Sequence, residues 1–155
     1  MQEKLNRRVY IYCGEITNRS PFQKIFYNAS DKSKPKRKKT YWDYPAAASV
    51  CCLAAGRNIY EGFSQRAYDN SYPNSILRTQ LTKLGKIGEK AMKKVGTKNY
   101  LLGQCAEPHA ARELLKKENS CKNLSDIHFS VTMRPRTRKI LQPCDNCKKV
   151  FPTLK

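Results

Sequence analysis

The chain has 155 residues, 39% of them hydrophobic, which is enough for one domain with a modest core. Its 31 Lys plus Arg against 12 Asp plus Glu leave a net charge of +19, which predisposes it toward polyanions. No segment reaches the apolar length of a membrane span, the first residues lack the apolar stretch of a secretory signal, and the seven cysteines make an odd count. A membrane protein and a secreted disulfide framework are therefore not expected, and a reducing compartment, cytoplasmic or nuclear, is.

In chain order, residues 9–12 (Val-Tyr-Ile-Tyr) and 24–27 (Lys-Ile-Phe-Tyr) have strand composition and flank a polar stretch with Gly14 and Pro21, which predicts a hairpin with a long loop. Residues 32–39 hold six basic residues in eight. Self-repulsion and Pro35 keep such a run extended, as a linker, a phosphate-binding arm or, in a eukaryotic host, a nuclear import signal. It closes a basic N-terminal segment, residues 1–39, ahead of a domain over residues 40–155. Tyr41, Trp42 and Tyr44 follow, suited to stacking on bases or to packing on the domain.

Residues 46–55 are alanine-rich and open to helix or strand, while residues 56–58 (Gly-Arg-Asn) signal a turn into a strand-like segment at 59–63. Leu77, Leu81, Leu84, Ala91 and Val95 recur at helical spacing and predict an amphipathic helix over 74–95, weakened by Gly85 and Gly88. Pro108 fits the first turn of a helix running on through residue 115, where its missing N–H is not needed. Ile127, Phe129, Val131 and Met133 alternate with His128, Ser130 and Thr132, so residues 126–133 read as one strand with one buried face. Pro143 precedes a short helix carrying Cys144 and Cys147 three apart, on one face. The order hairpin, helix, helix, strand, helix describes an α/β sandwich on a small sheet.

Chemistry concentrates at Cys105-Ala106-Glu107 and at Pro143-Cys144-Asp145-Asn146-Cys147. Catalytic zinc takes three protein ligands and leaves one position for water, and a carboxylate two residues from the first ligand can serve that water without capping the metal. Cys105, Cys144 and Cys147 are the candidate ligands, and Glu107 the candidate proton carrier of a hydrolytic deaminase. Each half alone has a plainer reading, since C-x-x-C is often a structural zinc knuckle or a redox pair. Cys13, Cys51, Cys52 and Cys121 form no second spaced pair that would close a four-ligand site. Both metal-binding segments start helices, whose positive ends favour ionised thiolates.

Four stretches together, residues 56–64, residues 103–110 (Gly-Gln-Cys-Ala-Glu-Pro-His-Ala), residues 132–137 (Thr-Met-Arg-Pro-Arg-Thr) and residues 142–147 (Gln-Pro-Cys-Asp-Asn-Cys), resemble the YwqJ-like deaminases. These occur among the toxin domains of bacterial polymorphic toxin systems, within the cytidine-deaminase-like superfamily. The resemblance runs from about residue 45 to residue 155, and its specific elements are C-A-E-P and P-C-x-N-C. It implies zinc at Cys105, Cys144 and Cys147, Glu107 as proton shuttle, and a β-hairpin across residues 46–63. It also implies a three-layer α/β sandwich with a small mixed sheet, delivery into target cells, and an immunity protein as partner. The superfamily usually adds strands after the second metal helix, where only residues 148–155 remain here. The expected three-stranded sheet therefore calls for strands from the N-terminal segment, or for a partner or second subunit at its edge.

Ser64 and Arg134, just past two strand ends, are the candidate contacts to sugar, base or phosphate. His109, four residues after Cys105, reads as a partly buried helix histidine rather than a site. The leading expectation is a zinc-dependent deaminase acting on cytosine, before adenine, in single-stranded DNA or RNA. The alternatives are a non-catalytic basic zinc module that binds nucleic acid, and a free-nucleoside deaminase.

Overall fold

The computed structural model of the chain describes residues 1–17, 45–73, 75–92 and 101–154. At its centre lies β1 (Ala47–Cys52), whose six residues are all buried. Alanine, serine and cysteine supply most of this strand, and such small side chains let other elements approach it closely on both faces. β2 (Ile59–Phe63) pairs antiparallel with β1, in a register from Ala47↔Phe63 to Cys51↔Ile59. The connection is a 3-10 turn, Leu53–Ala55, followed by Gly56 at φ 95 and Arg57 at φ 64. The hairpin expected across residues 46–63 is thus present. On the opposite edge of β1 lie β3 (Ile127–Phe129) and β4 (Thr132–Met133), and β5 (Ile140–Leu141) pairs with β4.

Among the described residues the sheet has five strands, every pairing antiparallel. This corrects both the mixed sheet and the three-stranded count. The residues after Met133 turn back through an Arg138 at φ 62 and add β5, a strand too short to show in the hydrophobic pattern.

Four helices among the described residues cover both faces: α1 (Gln2–Thr17), α2 (Ser75–Thr82), α3 (Ala106–Lys117) and α4 (Asp145–Val150). Val50 and Cys52 face a core shared with α2, α3 and α4, whereas Ala47 and Met133 face α1. No helix among the described residues is long and apolar enough to cross a membrane.

Three expected elements come out differently. Residues 9–12 are helical, because Leu5, Val9, Tyr12, Cys13 and Ile16 form a buried stripe of 3.6-residue period that outweighs the strand composition of four residues. The helix expected over 74–95 closes at Thr82. Gly85 and Gly88 then take φ +149 and +88, values that end a helix, and the chain folds back so that the Gly88 N–H donates to Leu102 O at 2.9 Å. The strand expected at 24–27, the basic run 32–39, the aromatics at 41–44, Val95 and the 39/40 domain boundary lie outside the described residues.

The third difference sits beside the site. Val50 pairs with Phe129 and Ala47 with Met133, so three steps along β1 meet four along residues 129–133. One extra residue is a β-bulge, which reverses the side-chain alternation beyond it. Ile127 and Phe129 therefore face α3, while Val131 and Met133 face α1 and Thr132 turns to the α3 side. The backbone groups freed by the bulge are satisfied locally. Asn6 Oδ1, from α1, accepts from the Val131 N–H at 2.9 Å. Ser130 Oγ accepts from the Ser49 N–H and donates to Val131 O, both at 2.8 Å. Arg8 on α1 also donates from Nε to Glu61 Oε1 at 2.7 Å, tying the helix to β2.

α3 rests on the β1–β2 hairpin at Gly62. A Cβ there would lie 2.4 Å from the Ala110 backbone nitrogen and 2.8 Å from its Cα, closer than atoms can pack. Ala106, Ala110 and Ala111 make up much of the opposing helix face, all buried. Gly62→Ala is expected to push α3 off the hairpin and cost about 1–3 kcal/mol of unfolding free energy, as overpacking does, measurable by urea denaturation.

Candidate metal centre and cleft

Cys105 caps α3 and Cys144 caps α4, so each helix begins at a cysteine, and Cys147 follows in the first turn of α4. Pro108 occupies the first turn of α3 as expected. Cys105 Sγ lies 3.1 Å from Cys144 Sγ, which lies 3.4 Å from Cys147 Sγ. All three ligand atoms fall within 4.8 Å of one another. The sulfurs expected to share a metal are therefore together, 39 residues apart in the chain for the first two.

Charge in this cluster collects on Cys144. The Cys105 thiol, then the Cys147 thiol, then the backbone N–H groups of Cys147 and Asn146 pull its sulfur down to about 3. Cys105 and Cys147 are pushed up, each first by a neighbouring sulfur of the cluster and further by burial. Three sulfurs at this spacing suit a soft or borderline transition metal rather than calcium or magnesium.

Glu107 lies beside the cluster, 3% exposed. Burial pushes its carboxyl up to about 7, its own backbone N–H acts the other way, the negative charge at Cys144 raises it, and hydrogen bonds from Thr132 and Cys147 lower it. Thr132 was expected on the outward face of its strand. The bulge turns it inward to Glu107, and no feature of the alternation reveals this.

Cys105, Cys144 and Glu107 line a cleft of about 840 Å3. Ser64 and Arg134, the two residues expected at the strand ends, both line it. Ser64 Oγ accepts from the Ala46 N–H at 2.8 Å, so the hydroxyl also clamps the start of β1. Arg134 Nη1 reaches Pro45 O at 3.4 Å. Gln65, Arg66, Gln104 and Gln142 join the lining and were not singled out from sequence. Polar residues in loops carry no periodic signal.

His109 is buried and bonds through Nε2 to Gln65 O at 3.1 Å, while its Nδ1 has no hydrogen-bond partner among the described residues. The Gln65 N–H in turn donates to Gln104 O at 3.1 Å, so His109 braces the cleft wall rather than the metal ligands. Burial, and then the Arg112 charge, lower His109 to about 4, against the raising effect of the Gln65 carbonyl.

No family model matches the chain, nor does any curated protein or solved structure.

Replacing Cys105, Cys144 or Cys147 with Ser is expected to lower bound metal, measured by elemental analysis, and to lower the unfolding midpoint with it, because forming such a site and folding are linked. The pH dependence of stability has a second source in His109. Its folded value lies below the unfolded value of about 6.5, so its contribution is present above about pH 6.5 and lost as pH falls toward about 4. Denaturant titrations across that window should show wild type losing on the order of 3 kcal/mol more than His109→Phe.

Proposed function

We propose that this chain is a zinc-dependent hydrolytic deaminase of the YwqJ-like, cytidine-deaminase-like kind, removing the exocyclic amine of cytosine, before adenine, in single-stranded nucleic acid. The observation that supports this reading is Glu107. It is a buried carboxylate that touches the three-sulfur cluster without belonging to it, and it faces an open cleft. A structural zinc knuckle has no use for such a group, and burying a carboxyl is unfavourable unless hydrogen bonds offset it.

Cys105, Cys144 and Cys147 would hold the zinc. When bound, a zinc ion with one open position lowers the pKa of a water there from about 15.7 toward 7. Glu107 takes one proton of the water as its oxygen adds to C4 of the base and delivers it to the ring nitrogen N3; it then carries the remaining proton, from the new C4 hydroxyl, to the departing amine as the C4–N bond breaks, giving uracil and ammonia. Thr132 holds the Glu107 carboxyl in place for both transfers. The amides of Gln65, Gln104 and Gln142 each offer a donor and an acceptor to a base edge. Toxicity in a recipient cell and neutralisation by an immunity protein follow from the same reading.

Zinc-loaded protein incubated with single-stranded DNA, RNA, duplex DNA and free cytidine is expected to convert C to U in single strands, read by sequencing and nucleoside mass. Glu107→Ala should keep its zinc and its fold while turnover falls by at least 10²–10⁴-fold, the usual worth of proton transfer. Equal turnover by the variant, or no conversion of any substrate by zinc-loaded wild type, rejects the assignment.

A further inference from the structure

The register of β1 sets the surroundings of the cleft. Ala47, at its start, pairs with Phe63 on one side and Met133 on the other. The loop after β2, residues 64–68, and the turn after β4, residues 134–139, therefore flank the start of β1 on opposite sides. Arg66 and Arg134 line the cleft from these two segments. Neither segment contains an acidic residue, and Glu107 is the one acid among the described residues of the cleft lining.

Each flank extends outward with exposed groups. Beyond Arg66 comes Tyr68, 57% exposed, with the Arg66 guanidinium 5.5 Å from its ring centroid. The nearby carboxylate of Asp69 is already matched by Arg78 at 2.7 Å. Beyond Arg134, Arg136 and Lys139 are exposed. Arg138 of the same turn serves a different purpose, packing its guanidinium 4.6 Å from the Tyr10 ring and donating to Pro135 O at 2.9 Å, which fixes the turn against α1. Arg66 and Lys139 make no ion pair among the described residues.

We propose that these two flanks form one binding track for a single-stranded nucleic acid, which crosses the cleft with its target base inserted toward Glu107. On one bank Arg136 and Lys139 hold backbone phosphates; on the other Tyr68, backed by Arg66, stacks a neighbouring base. The occupant is a strand rather than a nucleoside because Arg136 and Lys139 on one bank and Tyr68 on the other stand outside the cleft lining, where only a substrate longer than one nucleotide reaches. It is a single strand because an exposed aromatic needs an unstacked base as its partner. The track deepens the deaminase reading and rests on it for the position of the target base.

Fluorescence anisotropy with labelled 12-nucleotide single strands of DNA and RNA, on zinc-loaded protein, tests the track without requiring turnover. Counterion release gives a slope of about −0.7 in log K against log salt per phosphate contact, so an Arg136→Ala/Lys139→Ala pair should flatten the slope by about 1.4 and weaken binding roughly 10- to 30-fold near 0.1 M salt. Tyr68→Ala should weaken binding about fivefold or more with the slope unchanged. Lys116→Ala/Lys117→Ala, the same charge change at the far end of α3, should do neither. Thermal midpoints within error of wild type establish that these exposed substitutions leave the fold intact.

An equal effect of the Lys116/Lys117 pair would overturn the track in favour of diffuse charge. Competition by poly-glutamate as strong as by the oligonucleotide, with no Tyr68 effect, would overturn it in favour of an acidic protein partner. Tight oligonucleotide binding indifferent to all rim substitutions removes the track and leaves the deaminase reading standing. If no oligonucleotide binds wild type, nucleic acid as substrate falls as well.

Discussion

The approach of α3 to the β1–β2 hairpin is the constraint on which the rest depends. A glycine at position 62 and alanines at 106, 110 and 111 allow helix and sheet backbones to meet where an ordinary Cβ would collide. That contact fixes the height of the helix above the sheet, and so fixes Cys105 at its N-cap and Glu107 in its first turn. Leu114, fully buried farther along the same helix, adds roughly 1.5–3 kcal/mol of hydrophobic stabilisation to the docking. The helix is thus held along most of its length before any metal contributes.

A second constraint acts from the other edge of β1. The bulge at residues 130–131 costs a pair of ladder hydrogen bonds, and the molecule replaces them with Asn6 and Ser130 side chains. In return, Thr132 points at Glu107 instead of away from it. The N-terminal helix therefore reaches Glu107 at one remove: its Asn6 supports the bulge, and the bulge supports the carboxyl. A buried carboxyl held by sulfur and one hydroxyl has few ways to move, which suits the proton relay proposed for it.

Charge is distributed in opposite senses inside and outside the cleft. Its floor gathers the Cys144 sulfur, inclined to be negative, where a cation is welcome, beside the Glu107 carboxyl, which burial pushes toward its neutral form. Its two flanks carry Arg66, Arg134, Arg136 and Lys139, where anions are welcome. A chain with a net charge of +19 spreads cations widely, so the segregation around this one opening carries more meaning than the total.

The cluster of Cys105, Cys144 and Cys147 was legible in the sequence because cysteine spacing and a proline beside a helix start are local features. The turn at 56–58, the strand after it and the helix at Pro108 were legible for the same reason, as turn chemistry and helix starts are written within a few residues, whereas the alanine-rich residues 46–55 left helix and strand both open. What sequence composition misjudged was decided at longer range. Residues 9–12 have strand character alone but belong to a helical stripe of five residues, which only a packed partner makes decisive. Gly85 and Gly88 were visible as weaknesses in a helix, yet the return of the chain onto Leu102 is what turned weakness into an end. The bulge left no trace in the alternation of residues 126–133, because one added residue leaves the local pattern intact and changes only which face each side chain meets. For that reason Thr132, the nearest support of Glu107, and the two cationic flanks of the cleft belong to the tertiary structure alone: they arise from the register of three strands, a relation among distant segments that no single window of sequence contains.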